Sequence, residues 1–463
     1  MGDARLDLLA RLPWLQRAFR SRLWQPAAML VTLGFFVSAI LTGLLGTPAG
    51  SRNFGVVFVW IVWWALLILM LIPLGGRLWC AMCPIPAPGE WLQRRGIVQR
   101  TPGRLRTLRL HWPRRLRNIW LQNTGFLLVA LFSTIILTRP SITAWVLLGF
   151  VLLSVALSLL YENRIFCRYV CPVGGFIGLY SLIAPVELRV KERAICRAHG
   201  SKDCVLGTAG SYGCPWLLYP GGMRRNAACN LCAECVRGCP RDNFALNLRP
   251  PGSDLLVGAP QARRLDEAYK SLIMLACALI YPVVLLGPWG WLKDLANMQT
   301  LAGWVLYAVG FLVINLLLLP GLLWLTVSAA RRLGGMSASR STLFVAYAYA
   351  VAPLGLAGWM AFSLSFLFVN GSYALAVLSD PFGWGWDMLG TAQVPWRPQM
   401  SAWAPILQVL TLLPGLLLSI VVAYRISRQH SPSAPSQRVW WGTLPVAVFQ
   451  TTVTLIFVWL YLG

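Results

Sequence analysis

The feature that most constrains this fold is a series of long apolar stretches with almost no charge. Nine of them are long enough to cross a bilayer, which takes about 20 apolar residues. They lie at residues 27–46, 54–76, 119–138, 141–161, 271–292, 300–327, 343–368, 401–424 and 439–462. Only 12% of the 463 residues are charged, about half the usual fraction of a soluble protein, which excludes a soluble enzyme of this length. The sequence predicts an all-α polytopic membrane protein with about nine transmembrane helices.

The seventh stretch leaves two arrangements open. Residues 341–379 contain no charged residue, and Pro353 interrupts them. They hold either one span followed by a re-entrant or interfacial element after Asn370, or two full spans. The second arrangement would move the C-terminus to the other side of the membrane.

The basic residues predict the orientation. An N-terminus inside the cell places 36 of the 40 Lys and Arg residues in inner segments, where membrane proteins accumulate them. This predicts a multi-pass protein of the bacterial inner membrane with a cytoplasmic N-terminus and, after nine spans, a periplasmic C-terminus. Topology then explains most of the net charge of +25. We therefore expect membrane lipid, and no nucleic acid, as a partner.

The strongest motif is Cys229-x2-Cys232-x2-Cys235-x3-Cys239-Pro240. This is the spacing with which bacterial-type ferredoxins hold cubane iron–sulfur clusters, and their fourth cysteine serves the neighbouring cluster. Zinc is the alternative, since paired C-x2-C units also bind it, but the full run of four with the trailing proline favours iron and sulfur. Disulfides are disfavoured on the reducing cytoplasmic side.

Three further cysteines precede this motif: Cys196, Cys204 and Cys214, the last followed by Pro215. We favour one [4Fe–4S] cluster on Cys214, Cys229, Cys232 and Cys235. A second cluster on Cys196, Cys204 and Cys239 would lack one ligand. A non-cysteine ligand such as His199, a three-iron cluster, or a cysteine from elsewhere would each resolve this, although a lone histidine in a basic loop is more often simply solvated.

A repeat occurs at the ends of the second and fourth apolar stretches. One copy contains Arg77-x-Trp79-Cys80-x2-Cys83-Pro84, and the other contains Arg164-x-Phe166-Cys167-x3-Cys171-Pro172. Four thiolates that converge there could hold a metal or a third cluster, supply missing ligands, or act as redox dithiols. The plainer alternative is that each Cys-Pro step only ends a helix. Cys277 lies alone in the fifth stretch and is expected to be a packing residue.

These motifs divide the chain into four predicted segments. Residues 1–26 are a basic cytoplasmic leader, retained because it has no cleavage site. Residues 27–161 are a four-helix membrane region with the first Cys-Pro loop. Residues 162–268 are a small ferredoxin-like α+β iron–sulfur insertion on the cytoplasmic side, and residues 269–463 add about five helices.

The paired Cys-Pro ends followed by the C-x2-C-x2-C-x3-C-P module resemble the membrane polyferredoxin family of the NapH, NosR and CcoG type, over roughly residues 54–245. The resemblance departs at Cys80–Cys83, which is one residue shorter than the family's usual pair, and it does not account for residues 270–463. It implies [4Fe–4S] clusters on the seven cysteines from Cys196 to Cys239. It also implies electron exchange between the quinone pool, or a cytoplasmic donor, and a partner redox protein.

Other features bear on the function. Haem b is not expected, because it needs axial ligands such as histidine and no predicted span contains one. A quinone site would need a group that exchanges protons. Glu162, beside the second cysteine pair, is the best-placed carboxylate and Glu90 follows the first pair, although both are equally explained as solvated interfacial acids. We expect an electron-transfer protein of the kind that a quinol dehydrogenase uses as a component. The alternative is a copper reductase or assembly factor that uses Cys80, Cys83, Cys167 and Cys171, since soft thiolates select Cu(I). A transporter is disfavoured because predicted spans five to nine contain no charged residue.

Overall fold

A computed structural model describes residues 5–98, 106–208, 210–257, 263–286, 289–400 and 402–462. Several predicted segments extend beyond this range. Residues 1–4 of the leader, 209 and 258–262 of the iron–sulfur insertion, 287–288 of the fifth span and 401 of the eighth lie outside the described residues.

Within the described part of the chain, eight helices are long and apolar enough to cross a membrane. They are Trp24–Leu45, Phe54–Gly75, Pro140–Leu160, Leu265–Leu286, Leu301–Gly334, Arg340–Asn370, Ala404–His430 and Ser436–Leu462. These helices indicate a multi-pass membrane protein, and each overlaps one of the predicted spans.

The third predicted span, residues 119–138, has a different form. It consists of the 12-residue helix Trp120–Leu131 and the short helix Ser133–Ile136. At 1.5 Å per residue, the first of these covers roughly 18 Å, less than the roughly 30 Å hydrocarbon core of a bilayer. The helix breaks at Phe132, where φ is −94° and ψ is 12°.

Two other predicted spans differ in detail. The seventh is one long helix to Asn370, followed by the seven-residue helix Tyr373–Ser379, which is too short to span a bilayer. The fifth begins at Leu265 instead of residue 271. It therefore includes Asp266, Glu267 and Lys270, three charged residues that the predicted span at 271–292 did not contain.

The chain folds into two compact units. The division into four contiguous segments stays a prediction. The first unit comprises residues 1–40, 70–122 and 145–254. Its short helices and turns are Leu8–Arg11, Pro13–Arg20, Leu78–Met82, Ala87–Arg94, Arg114–Leu116, Phe166–Val170, Pro172–Tyr180, Arg193–Ala198, Asp203–Leu206, Pro220–Gly222, Asn226–Ala228 and Glu234–Arg237.

An antiparallel sheet organises the first unit. Its strands are β1 (Leu6–Asp7), β2 (Val186–Val190) and β3 (Phe244–Leu248), in the order β1–β3–β2. Residues of the predicted leader thus pair with β3, and Asp7 caps the following helix by accepting from the Leu9 N–H at 2.9 Å. The leader is therefore part of the same folded module as the cysteine motif.

The core of this module surrounds several of the cysteines. Its buried members are Leu9, Phe19, Leu188, Cys204, Leu231, Ala233, Val236, Phe244 and Leu246, and Cys229, Cys235 and Cys239 pack against them. Burial of this apolar surface, at roughly 25 cal/mol per Å², fixes the backbone that carries the motif.

The second unit comprises residues 41–69, 123–144 and 255–463. Besides the long helices it contains Gly50–Arg52, Gly290–Ala296 and Tyr373–Ser379. Trp359 is fully buried, and its indole N–H donates to the Met274 carbonyl at 3.0 Å. The helix around Gly415 lies so close to its neighbour that a Cβ there would be 2.4 Å from the Ala357 Cβ.

Candidate functional site

The repeated cysteine pairs meet in one place, which we call group A: Cys80, Cys83, Cys167 and Cys171. Cys80 lies in the helix Leu78–Met82, which ends at Cys83. Cys167 lies in the π-helical turn Phe166–Val170, and Cys171 begins the next helix. Burial is the largest cause of the raised pKa of Cys83, and the nearby Cys171 and Cys80 raise this pKa further. Burial also raises the pKa of Cys167, and Cys171, Cys83 and Cys80 likewise raise it, so the thiols of the two pairs are close neighbours.

Backbone N–H groups face the thiols of group A. The Gly174 N–H donates to the Cys171 sulfur at 3.2 Å from the first turn of the helix Pro172–Tyr180. Burial raises the pKa of Cys171 to about 11, and the bond from Gly174 opposes that rise. Such donors stabilise a thiolate once a metal has displaced the proton.

A buried ion pair holds the two halves of group A together. Arg164, 3% exposed, donates to both carboxylate oxygens of Glu90 at 2.6 Å and to the Cys80 carbonyl at 2.7 Å. Burial would raise the pKa of Glu90, but Arg164 and then Arg94 outweigh it and hold the pKa below its usual value. Glu90 is therefore a charged anchor for Arg164.

Arg77, the matching residue of the first repeat, connects group A to the next set of cysteines. It donates to the Gly174 carbonyl at 2.7 Å and to the Ala227 carbonyl, and its guanidinium lies 4.3 Å from the centre of the Trp216 ring. Its charge opposes the rise in pKa that burial causes at both Cys171 and Cys229.

The second set, group B, is Cys214, Cys229, Cys232 and Cys235, and all four line one cavity. Leu231 and Ala233 lie on either side of Cys232 and have positive φ values of 54° and 61°. Non-glycine residues rarely take this conformation, and here it wraps the loop tightly around the cavity. Burial raises the pKa of all four thiols.

Glu234 explains why Cys214, distant in sequence, joins the motif. Its buried carboxylate accepts from the Tyr212 N–H at 2.8 Å and from the Ser211 hydroxyl at 3.2 Å. Arg237 neutralises the same carboxylate at 2.7 Å. The loop that leads to Cys214 is thereby fixed to the turn that carries Cys232 and Cys235.

The third set, group C, consists of Cys196, Cys204 and Cys239, which line a second cavity together with His199. Asn243 serves two of these cysteines: its N–H donates to the Cys239 sulfur at 3.5 Å and its side-chain amide to the Cys196 sulfur at 3.3 Å. Burial, followed by Cys196 and Cys239, raises the pKa of Cys204 to about 11.

The chemistry of the donors suits iron–sulfur clusters, which are held by cysteine thiolates. Groups A and B each offer four thiols, and group C offers three thiols and an imidazole. Among the described residues, no three His, Cys, Asp or Glu side chains are arranged to hold a single metal ion.

The remaining sequence candidates lie elsewhere. The Glu162 side chain is 44% exposed and pairs with Arg109 at 3.7 Å, unlike the buried Glu90. Cys277 is buried in the helix Leu265–Tyr281, and its thiol faces the Asn315 side-chain oxygen at 3.4 Å. Sequence reasoning gave no role to Arg77 and Arg164, although the repeat itself contains both.

Comparison with known protein families gives one match. Residues 56–113 and 143–190 match the model of a 4Fe-4S binding domain. These segments contain the four cysteines of group A, whereas groups B and C lie outside them. No curated protein and no solved structure matches the chain. The match supports a ferredoxin-type iron–sulfur protein that binds a 4Fe-4S cluster, and with the eight apolar helices it indicates electron transfer at a membrane.

Proposed function

We propose that this protein is a membrane-bound electron carrier that passes single electrons along groups A, B and C. Each [4Fe–4S] cluster, when bound, supplies reversible one-electron chemistry. As part of this proposal, the protein is a membrane polyferredoxin similar to those of the NapH type. It exchanges electrons with the quinone pool or a cytoplasmic donor at one end and with a partner redox protein at the other.

The adjacency of the three groups carries the proposal. Arg164 reaches group A through the Cys80 carbonyl, and its charge also opposes the rise in pKa that burial causes at Cys232 in group B. Group B continues into group C, because Cys204 is close enough to Cys214 and Cys235 for their charges to interact. Neighbouring sites of this kind favour transfer from one to the next.

Buried arginines add positive charge beside groups A and B. Each added electron makes a thiolate-bound cluster more negative, and a nearby cation stabilises that reduced state. Arg77 and Arg164 are both at least 96% buried, so solvent screens their charges little. Arg168 adds a third cation, which donates to the Trp216 carbonyl at 2.5 Å.

A quinone site needs a group that exchanges protons, and the two carboxylates differ in this respect. Both oxygens of Glu90 accept hydrogen bonds from Arg164 at 2.6 Å. Glu162 is 44% exposed and has a looser partner at 3.7 Å. Glu162 is therefore the better of the two for proton exchange with a quinol at the membrane surface.

The test is anaerobic purification with iron and sulfide analysis and EPR, with and without added quinol. Paired Cys→Ser changes at Cys83 and Cys171, at Cys229 and Cys232, or at Cys196 and Cys239 should each remove one cluster, or about four irons for a cubane. Cys277→Ser is the matched control and should leave the iron content unchanged. An active protein that is colourless and free of iron would overturn the proposal.

The alternative is copper reduction or delivery by the thiols of group A. The family match on these pairs favours a cluster there. Loss of metal delivery with normal quinol oxidation, after mutation of Cys80, Cys83, Cys167 and Cys171, would favour the alternative.

A further inference from the structure

Group C has three cysteines where a cubane cluster needs four ligands. We propose that the imidazole of His199, through Nδ1, is the fourth ligand of the group C cluster. This rests on the proposed function, because it assigns the ligand set of one of the three cluster sites.

The backbone fixes His199 at the edge of the cavity. His199 follows the helix Arg193–Ala198, which carries Cys196, and its N–H donates to the Ile195 carbonyl at 3.1 Å. The Lys202 ammonium donates to the carbonyls of both His199 and Cys196, at 2.7 and 2.9 Å. The histidine and the cysteine are therefore held as one rigid unit beside the cavity that both line.

The contacts of the ring select the nitrogen. Nε2 lies 3.1 Å from the Ser201 hydroxyl and 3.7 Å from Asp203 Oδ2, and neither residue lines the cavity. A metal-bound histidine usually gives its other ring N–H to a carboxylate or a similar acceptor. Ser201 and Asp203 supply that acceptor for Nε2, which leaves Nδ1 for iron.

The other polar side chains around this cavity are less suitable. Arg241 has no lone pair to donate to a metal. The Tyr219 hydroxyl is bound to the Cys196 carbonyl at 2.8 Å, and the Asn243 amide donates to the Glu192 carbonyl at 2.6 Å and to the Cys196 sulfur. The Lys202 ammonium is held by two carbonyls. Among the residues that line the cavity, His199 is thus the best remaining donor.

A neutral imidazole in place of a thiolate makes a cluster less negative. Replacement of cysteine by histidine raises the reduction potential of iron–sulfur centres. Group C should therefore have the highest potential of the three sites, so that the first electron added to the oxidised protein resides there.

The test uses the whole detergent-solubilised protein, poised so that only its highest-potential cluster is reduced. The chain has three histidines, so pulsed EPR with ¹⁵N-histidine labelling can assign an imidazole coupling. We expect this coupling in the wild type and in the control His111→Ala, and its loss in His199→Ala. His199→Cys supplies a fourth thiolate, so this variant should contain a four-iron cluster whose reduction potential is lower than that of the wild type.

The outcomes separate the two proposals. A wild-type cluster without imidazole coupling, or a coupling that persists in His199→Ala, would overturn the assignment of His199 and leave the electron relay intact. A wild-type protein without iron would instead overturn the proposed function. His199→Cys keeps the inference testable if the alanine variant fails to fold.

Discussion

At the scale of single residues, Arg77 and Arg164 have the largest influence on the candidate site. The cysteine spacing predicts which thiols could serve as ligands, because cluster-binding loops are short and local. The arginine contacts could not be predicted in the same way, since Arg77 reaches Ala227 across 150 residues and Arg164 reaches Glu90 across 74. Long-range contacts of this kind depend on packing that no local pattern encodes.

Arg77→Gln should lower the reduction potentials of the clusters in groups A and B. The change removes a buried cation that stabilises their reduced states, an effect on the order of 1 kcal/mol or more. Redox titration followed by EPR measures it. Arg77→Lys, which keeps the charge, should stay closer to the wild type. Unchanged potentials in Arg77→Gln, equal to those of the exposed control Arg115→Gln, would contradict the electrostatic role.

At the scale of elements, hydropathy located the long helices well, because bilayer thickness imposes a simple length rule. It did not indicate the break at Phe132, because the apolar pattern continues through residues 119–138. The N-terminal strand was also missed. Leu6–Asp7 is two residues long and has no alternating pattern, and its pairing with β3 depends on the fold around it.

The Glu90–Arg164 pair joins the helix Ala87–Arg94 to the segment before Cys167, so its loss should destabilise that junction. Glu90→Gln leaves a buried cation without its partner, which typically costs about 3–5 kcal/mol, and should lower the thermal unfolding temperature in detergent. The matched control is Glu162→Gln at the exposed pair with Arg109, where we expect less than about 1 kcal/mol. Equal unfolding temperatures in both variants would show that the buried pair does not stabilise this junction.

At the scale of the whole molecule, orientation in the membrane is a prediction from the positive-inside rule. One connection, a short turn, joins the helix Ala404–His430 to the helix Ser436–Leu462. A second, longer connection joins the helix that ends at Asn370 to the helix that begins at Ala404. If Ala404–His430 spans the bilayer, these two connections lie on opposite sides of it.

Reporter fusions test this orientation. A fusion after Ser433 should be active with a cytoplasmic reporter such as a fluorescent protein, because the surrounding turn contains Arg428 and Arg438. A fusion after Gly390 should be active with a periplasmic phosphatase. The reverse pattern would show that the protein is inserted with the opposite orientation.

The separation of the group A cysteine pairs along the chain has a consequence for the amount of this protein in the cell. The two pairs lie far apart in the sequence, with the helix Pro140–Leu160 between them along the chain. A cluster bound to both pairs would act as a crosslink, and metal binding of this kind contributes directly to folding free energy. Cells starved of iron should consequently contain less of this chain, because newly made copies would lack that brace and be degraded sooner.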